Sequence, residues 1–442
     1  MDLTRDDFPK GFLFGAASSA YQVEGHGAGG AGPCHWDSFA ATPGNVAGGA
    51  DGRMACDHLH RHAEDLDLVA AAGFDLYRFS TSWARVMPDG ATVNPEGLDF
   101  YDRLVDGLLT RGLKPMLTLY HWDLPSALAD RGGWANRDTA ERFAGFAELM
   151  AHRLGDRVWS WATINEPWSV SWLSHFEGQH APGLRDIRAT ARAMHHVGLA
   201  HGLGMAALGA AGATKAGVVL NFEPGFPAEN SDAAREATLR HGATFSWFFL
   251  QAMTRGSYPD RALEGLAAHL PAGWEQDMTT IAAPLDWLGV NYHTIRRVAP
   301  APGPWPGKRA VAGPLAKTDT GWEIAPDELG ALLHWMSDTF TGALPLYITA
   351  NGMAAPDRVV KGQVRDEDRI AYLAAHLEAA KDAIAAGVPL RGYVVRSLLD
   401  GFEWAYGYSK RFGLVHVDFE SLQRTPKASY HALARMLKGP VQ

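Results

Sequence analysis

Short apolar runs recur along the chain, and each is followed by a longer stretch whose apolar residues return at helical spacing. The runs predict strands over Phe12–Val23, Phe74–Ser80, Lys114–Tyr120, Val158–Ile164, Ala216–Phe222, Leu285–Tyr292, Leu346–Thr349 and Gly392–Leu398. Between them, Thr139–Arg153 sets Phe143, Phe146 and Met150 on one stripe, and Asp366–Ala386 is alanine-rich and charged, so both predict helices. Alternating strands and helices imply parallel pairing through crossover helices. Eight such units close a barrel, so the expected fold class is α/β, a single (β/α)8 TIM barrel. No Pro/Ser-rich linker divides the chain, and residues 1–442 are expected to form one domain.

One segment breaks the rhythm. Ala299–Thr320 is crowded with proline and glycine and is expected to hold no regular element. It follows the sixth strand, on the face where a barrel keeps its active site. A loose loop and a wall or lid over the pocket are both open readings.

Composition narrows the class. The chain has 442 residues, 47% hydrophobic and 20% charged, which is enough to bury a large core. A net charge of -9 gives no electrostatic case for nucleic acid or acidic membranes as partners. No window approaches a membrane span, and the acidic start Met1–Asp7 lacks the apolar run of a secretory signal. Two cysteines, Cys34 and Cys56, make no disulfide framework, so a cytoplasmic location is expected.

Three motifs invite chemistry and are set aside. Gly25–Gly30 fits G-x-G-x-x-G, but Pro33 and Trp36 follow where a helix should open, so it reads as a loop. His58 and His62 share a helical face without a second ligand cluster, and His195-His196 sits in an alanine-rich helix. No metal and no cofactor is expected. The informative residues lie at strand ends: Gln22 and Glu24 carried by strand one, His121-Trp122-Asp123 at the end of strand three, Asn165-Glu166-Pro167 after strand four, and Glu403-Trp404 after strand eight. Hydrogen-bonding side chains interleaved with tryptophan suit a sugar, whose hydroxyls need paired partners and whose C–H faces need aromatic plates.

These residues stand within longer runs: Phe14–Gly25, Tyr77-Arg78-Phe79-Ser80, His121–Pro125, Thr163–Pro167 and Phe402-Glu403-Trp404. Through them the chain resembles glycoside hydrolase family 1, the β-glucosidase family, over essentially its whole length. The resemblance implies a (β/α)8 barrel and a small-molecule glycoside or sugar-containing metabolite as substrate. It implies that Glu166 is the general acid/base, and that Gln22, His121, Asn165, Glu403 and Trp404 hold the sugar. Trp322 would fall in the aglycone wall.

The same resemblance exposes departures. Retaining glycosidases use two carboxylates, and the family's nucleophile is the Glu of a Thr-Glu-Asn-Gly run after strand seven. Here the run is Thr349-Ala350-Asn351-Gly352, which leaves the nucleophile site vacant. The family's Asn-X-Tyr reads Asn291-Tyr292-His293, its Trp-Ser reads Arg396-Ser397, and Gly401 replaces an Asn. Arg78 matches the arginine that pairs with the nucleophile, and a buried cation stripped of its partner costs about 3–5 kcal/mol. The expectation is an anion site at Ala350 lined by Arg78, Arg396 and a protonated His293. His293 would also supply a catalytic acid beside Glu166. Three readings follow. One is a repurposed pseudoglycosidase carrying out elimination, epimerisation, cyclisation or transfer, with ordinary retaining hydrolysis absent or very weak. A second is a glycosidase whose nucleophile was removed to make a glycosynthase or substrate trap. The third is a sugar-binding protein without turnover.

Overall fold

Eight parallel strands close on themselves in sequence order: β1 (Leu13–Ala17), β2 (Leu76–Ser80), β3 (Lys114–Tyr120), β4 (Ser160–Asn165), β5 (Ala216–Phe222), β6 (Trp287–Tyr292), β7 (Leu346–Asn351) and β8 (Leu390–Arg396). Strand β8 pairs back onto β1, with Ala17 opposite Arg396, so no sheet edge is left open. The computed structural model describes residues 1–439, and the last three positions of the expected 1–442 unit lie outside them. The barrel's interior is plugged by Leu76, Met116, Ala162, Val219, Trp287 and Val394, a small cluster separate from the larger core between strands and helices. The cavity can therefore open only above this plug.

Between the strands, the apolar stripe in helix Arg137–Leu154 carries Phe143, Phe146, Met150 and Leu154 into the core, all fully buried. The Ala-rich stretch forms helix Glu367–Ala385. Both agree with the apolar periodicity to within two residues.

Two local expectations fail. The first apolar run is a strand only to Ala17; Ala20–Val23 is a helical turn whose Ala20 N–H donates to Ser80 Oγ at 2.8 Å. Apolar residues at 20, 21 and 23 are buried by tertiary packing, and a short buried run does not reveal its period. The proline-rich segment is also more regular than expected. Arg296–Pro300 and Lys308–Val311 pair antiparallel, from Arg297 opposite Val311 to Pro300 opposite Lys308. Pro302, Pro304 and Pro306 sit in the connection, where no ladder N–H is needed.

No helix of the described residues is long and apolar enough to cross a membrane. Cys34 and Cys56 are buried free thiols.

Candidate active site

The strand ends open on one cavity of about 640 Å³. It is lined by Gln22, Arg78, His121, Asn165, Glu166, His293, Trp322, Ala350, Arg396, Glu403 and Trp404. Glu24 and Asp123, also expected at the site, do not line it: Glu24 pairs with Arg85 at 2.9 Å, and Asp123 is fully buried. The hairpin of Arg296–Val311 forms part of its outer wall, contributing Arg296, Val298, Pro306, Lys308, Arg309 and Ala310. Of the two readings of that segment, the wall is the one realised.

Backbone irregularity aims the two strand ends that matter most. The register slips between Ala162 and Asn165 on β4, and again around Ala350 on β7. Such slips turn a side chain away from strict alternation. Glu166 (φ 51°), Trp122 (φ 82°) and Trp404 (φ 54°) all adopt the left-handed conformation that non-glycine residues resist, at a cost of order 1 kcal/mol or more each. Three such residues around one cavity mark where packing holds the backbone against its preference.

At the end of β4 every polar group has a partner. Glu166 accepts from Asn291 Nδ2 at 2.7 Å through one oxygen and from Ser169 Oγ at 2.8 Å through the other. Asn165 Oδ1 accepts from Arg78 at 2.7 Å and from Asn291 at 3.1 Å, while its amide donates to His121 Nε2 at 3.1 Å. Trp122 Nε1 donates to the Asn165 carbonyl at 3.0 Å. The sequence reading gave Asn291 no role beyond its place in the Asn291-Tyr292-His293 run, and Ser169 escaped it. A lone Asn or Ser carries no periodic or chemical signal, and only the fold brings both to Glu166.

The end of β7 is different. Ala350 presents a methyl group between two anchored neighbours: Arg78 donates to the Thr349 carbonyl at 3.1 Å, and His293 Nδ1 donates to the Gly352 carbonyl at 3.2 Å. Gly352 is required there, because a Cβ would collide with the Arg396 carbonyl oxygen. Arg78 Nε and His293 Nε2 are both buried without a hydrogen-bond partner. Burial pushes Arg78 down to about 10, opposed only by the charge of Glu166.

Two parts of the expected anion site are corrected. His293 is not a cation: burial, reinforced by Arg396, holds its pKa well below the usual imidazole value. A carbonyl can only accept, so the proton sits on Nδ1 and Nε2 carries the lone pair. The ring is therefore neutral, with Nε2 free to accept a hydrogen bond, and is not the expected acid. Arg396 does not join Arg78 either. It pairs with Glu403 (2.5 Å) and lies over Phe412 at 4.1 Å; burial raises the Glu403 carboxyl's pKa, and Arg396 and Gln22 oppose that rise. Of the three expected cations, Arg78 is the one with a buried donor lacking a partner and with no carboxylate beside it.

The motifs set aside are accounted for by packing. His58 binds Asp65 at 2.7 Å, and His195 binds Tyr258 at 2.9 Å and Asp277 at 3.0 Å. His196 bonds the Trp134 carbonyl at 3.0 Å. Carbonyls of the glycine run, Gly25 and Ala28, accept from Arg85.

Comparison with known proteins adds the lineage. Residues 4–438 match the family model described as glycosyl hydrolase family 1. A thermostable β-glucosidase B from Thermobispora bispora is 47% identical over 96% of this chain and 89% of its own length. A β-glucosidase from Agrobacterium sp. is 44% identical over 97% of this chain and 95% of its own length. Among solved structures, the family 1 β-glucosidase from Thermotoga maritima superposes with a TM-score of 0.95 at 42% identity, covering 98% of each chain. The same enzyme in complex with deoxynojirimycin gives a TM-score of 0.93 at 42% identity, also over 98% of each chain.

Proposed function

The chain belongs to glycosyl hydrolase family 1, and from that membership we propose that it binds a β-glucoside or sugar-containing metabolite and acts on it by proton transfer, without a protein nucleophile. Glu166 protonates a departing oxygen or deprotonates a hydroxyl, and the neutral His293 offers Nε2 as a hydrogen-bond acceptor. The attacking group comes from the substrate itself, from solvent or from a second small molecule. Elimination, epimerisation, cyclisation and transfer all meet that description, and ordinary retaining hydrolysis is absent or very weak.

The observation that carries the reading is Arg78. Its guanidinium lines the cavity beside Ala350 and holds only neutral partners, the Thr349 carbonyl and the Asn165 amide oxygen. A retaining site of this lineage would put a carboxylate there. Any small anion that enters would meet Arg78 without a competing carboxylate, whereas the charge of Arg396 is already paired with Glu403. The sugar itself is assigned to Gln22, His121, Asn165, Glu403 and Trp404, with Trp322 on the aglycone side. Buried thiols at Cys34 and Cys56 support a cytoplasmic location.

The test is covalent trapping with an activated 2-deoxy-2-fluoro-β-glucoside, read by mass spectrometry. The expected result is no adduct, with deoxynojirimycin still binding by calorimetry. A glycosyl adduct on this chain overturns the missing-nucleophile reading, and failure to bind deoxynojirimycin overturns the sugar site. The Agrobacterium and Thermobispora relatives, both β-glucosidases by name, favour a second reading: a β-glucosidase that differs from them only by lacking its nucleophile. Restoring Glu at position 350 separates the two.

A further inference from the structure

The outer wall of the cavity carries a cation that the chemistry around Glu166 does not use. On the hairpin, Arg296 is fully engaged by Glu223, Nε to Oε1 at 2.8 Å and NH2 to Oε2 at 2.5 Å. Lys308, opposite Pro300 on the partner strand, has no such carboxylate. Its ammonium donates to His241 Nδ1 at 3.1 Å, and the other nitrogen of that imidazole is spent on the Glu223 carbonyl at 3.1 Å. Burial holds His241 neutral, at about 3, so Lys308 is solvated by an uncharged ring. The nearest remaining acid, Glu177, is occupied by Trp172 Nε1 at 3.2 Å and Gln179 at 2.8 Å, and burial raises its pKa.

A half-buried ammonium with N–H groups to spare is costly unless an anion arrives. Burial lowers Lys308 to about 8, against Glu223 and Glu177 and with the help of Arg296. The Trp172 ring lies 5.7 Å from the ammonium and is itself buried, packed against Phe176 at 4.4 Å. Lys308 and Trp172 line the same cavity as Glu166.

We propose that this wall is a subsite for an anionic aglycone: the glycoside that enters carries a carboxylate on its aglycone, and Lys308 binds that carboxylate. The assignment rests on the sugar lying at the inner, Gln22–Glu403 end. A monoanion fits better than a phosphate dianion, because Glu223 and Glu177 stand within the same cluster and oppose a second negative charge.

The test compares 4-carboxyphenyl β-D-glucoside with 4-carbamoylphenyl β-D-glucoside, binding each to the full chain by calorimetry at pH 7. The carboxylate is expected to bind about tenfold more tightly, as a charge-assisted pair in a partly desolvated site would give. The preference should fade as the pH rises past the Lys308 value and the ammonium loses its proton. Lys308→Gln should level the two ligands by weakening only the carboxylate, and Lys308→Arg should keep the preference. Equal affinities, or a preference that survives Lys308→Gln, overturn the proposal. Should Lys308→Gln fail to fold, the pH dependence in the unaltered chain decides. If deoxynojirimycin binds and neither glucoside does, the aglycone subsite falls while the sugar site stands. Loss of all three ligands overturns both.

Discussion

Two buried arginines sit seven positions apart, Arg78 on β2 and Arg85 just beyond it, and the fold treats them in opposite ways. Arg85 donates to Glu24 at 2.9 Å and to the Ala28 and Gly25 carbonyls, while Tyr101 supports Glu24 from the other side at 2.9 Å. Burial disfavours its charge, but Glu24 and Tyr101 outweigh burial and its pKa is raised. Arg78 is buried as deeply, receives no carboxylate, and is pushed down. The sequence does have the means to neutralise a deep guanidinium, since it does so a few residues away. That it leaves Arg78 bare, in the wall of the cavity, says the charge is kept for what happens there rather than for stability.

The largest effect should come from supplying the missing partner. Ala350→Glu gives Arg78 a carboxylate, and under the repurposed reading this alone leaves aryl β-glucoside hydrolysis weak. His293 and Arg396 still occupy the places of the aromatic residues expected from the family pattern. Adding His293→Tyr and Arg396→Trp should raise kcat/KM by about 10³-fold or more over the unaltered chain. Strong hydrolysis from Ala350→Glu alone would instead support a β-glucosidase lacking only its nucleophile. Next in size is stability. Arg85→Met strands Glu24 and should cost about 3–5 kcal/mol in denaturant unfolding. Arg78→Met strands no charge, so its loss should stay within about 1–2 kcal/mol, the cost of two hydrogen bonds offset by relief of burial. Equal losses at the two positions would end the contrast.

Much of this was legible in the sequence, for reasons that differ by level. Barrel strands such as Lys114–Tyr120 and Ala216–Phe222 appear with the expected bounds because each is a short apolar run between longer helical stretches, a length that argues for a strand. The lining residues were legible because strand ends converge in a barrel whatever the loops do. Charge state was not. Whether Arg396 faces Ala350 or Glu403 depends on a side-chain torsion and on which carboxylate is already paired, and neither leaves a trace in spacing. His293 misled for a related reason: an imidazole titrates near neutrality only when solvated, and its burial is set by Trp322, Gly352 and Arg396, which are distant in sequence.

That misjudged imidazole yields the smallest prediction and the most specific. In the folded chain His293 has a pKa well below 6.5, whereas in the unfolded chain it titrates near the ordinary value of about 6.5. Above that pH both states are neutral and His293 contributes no pH dependence. As the pH falls below it, the unfolded chain gains a proton that the folded chain refuses, and stability is lost until the folded value is reached. The loss is about 1.4 kcal/mol per pH unit for one imidazole. Other buried histidines, among them His35 at about 3 and His376 at about 4, add slopes of the same sign, so the total acid dependence does not isolate this one. The difference does. His293→Gln keeps a hydrogen-bonding side chain but cannot titrate, so between pH 6 and pH 5, that is within about one unit below the free imidazole value, its slope should be shallower by about one proton's worth. Parallel slopes in the two proteins would mean that His293 is protonated in the fold after all, and would return it to the side of Arg78 as a second cation awaiting an anion.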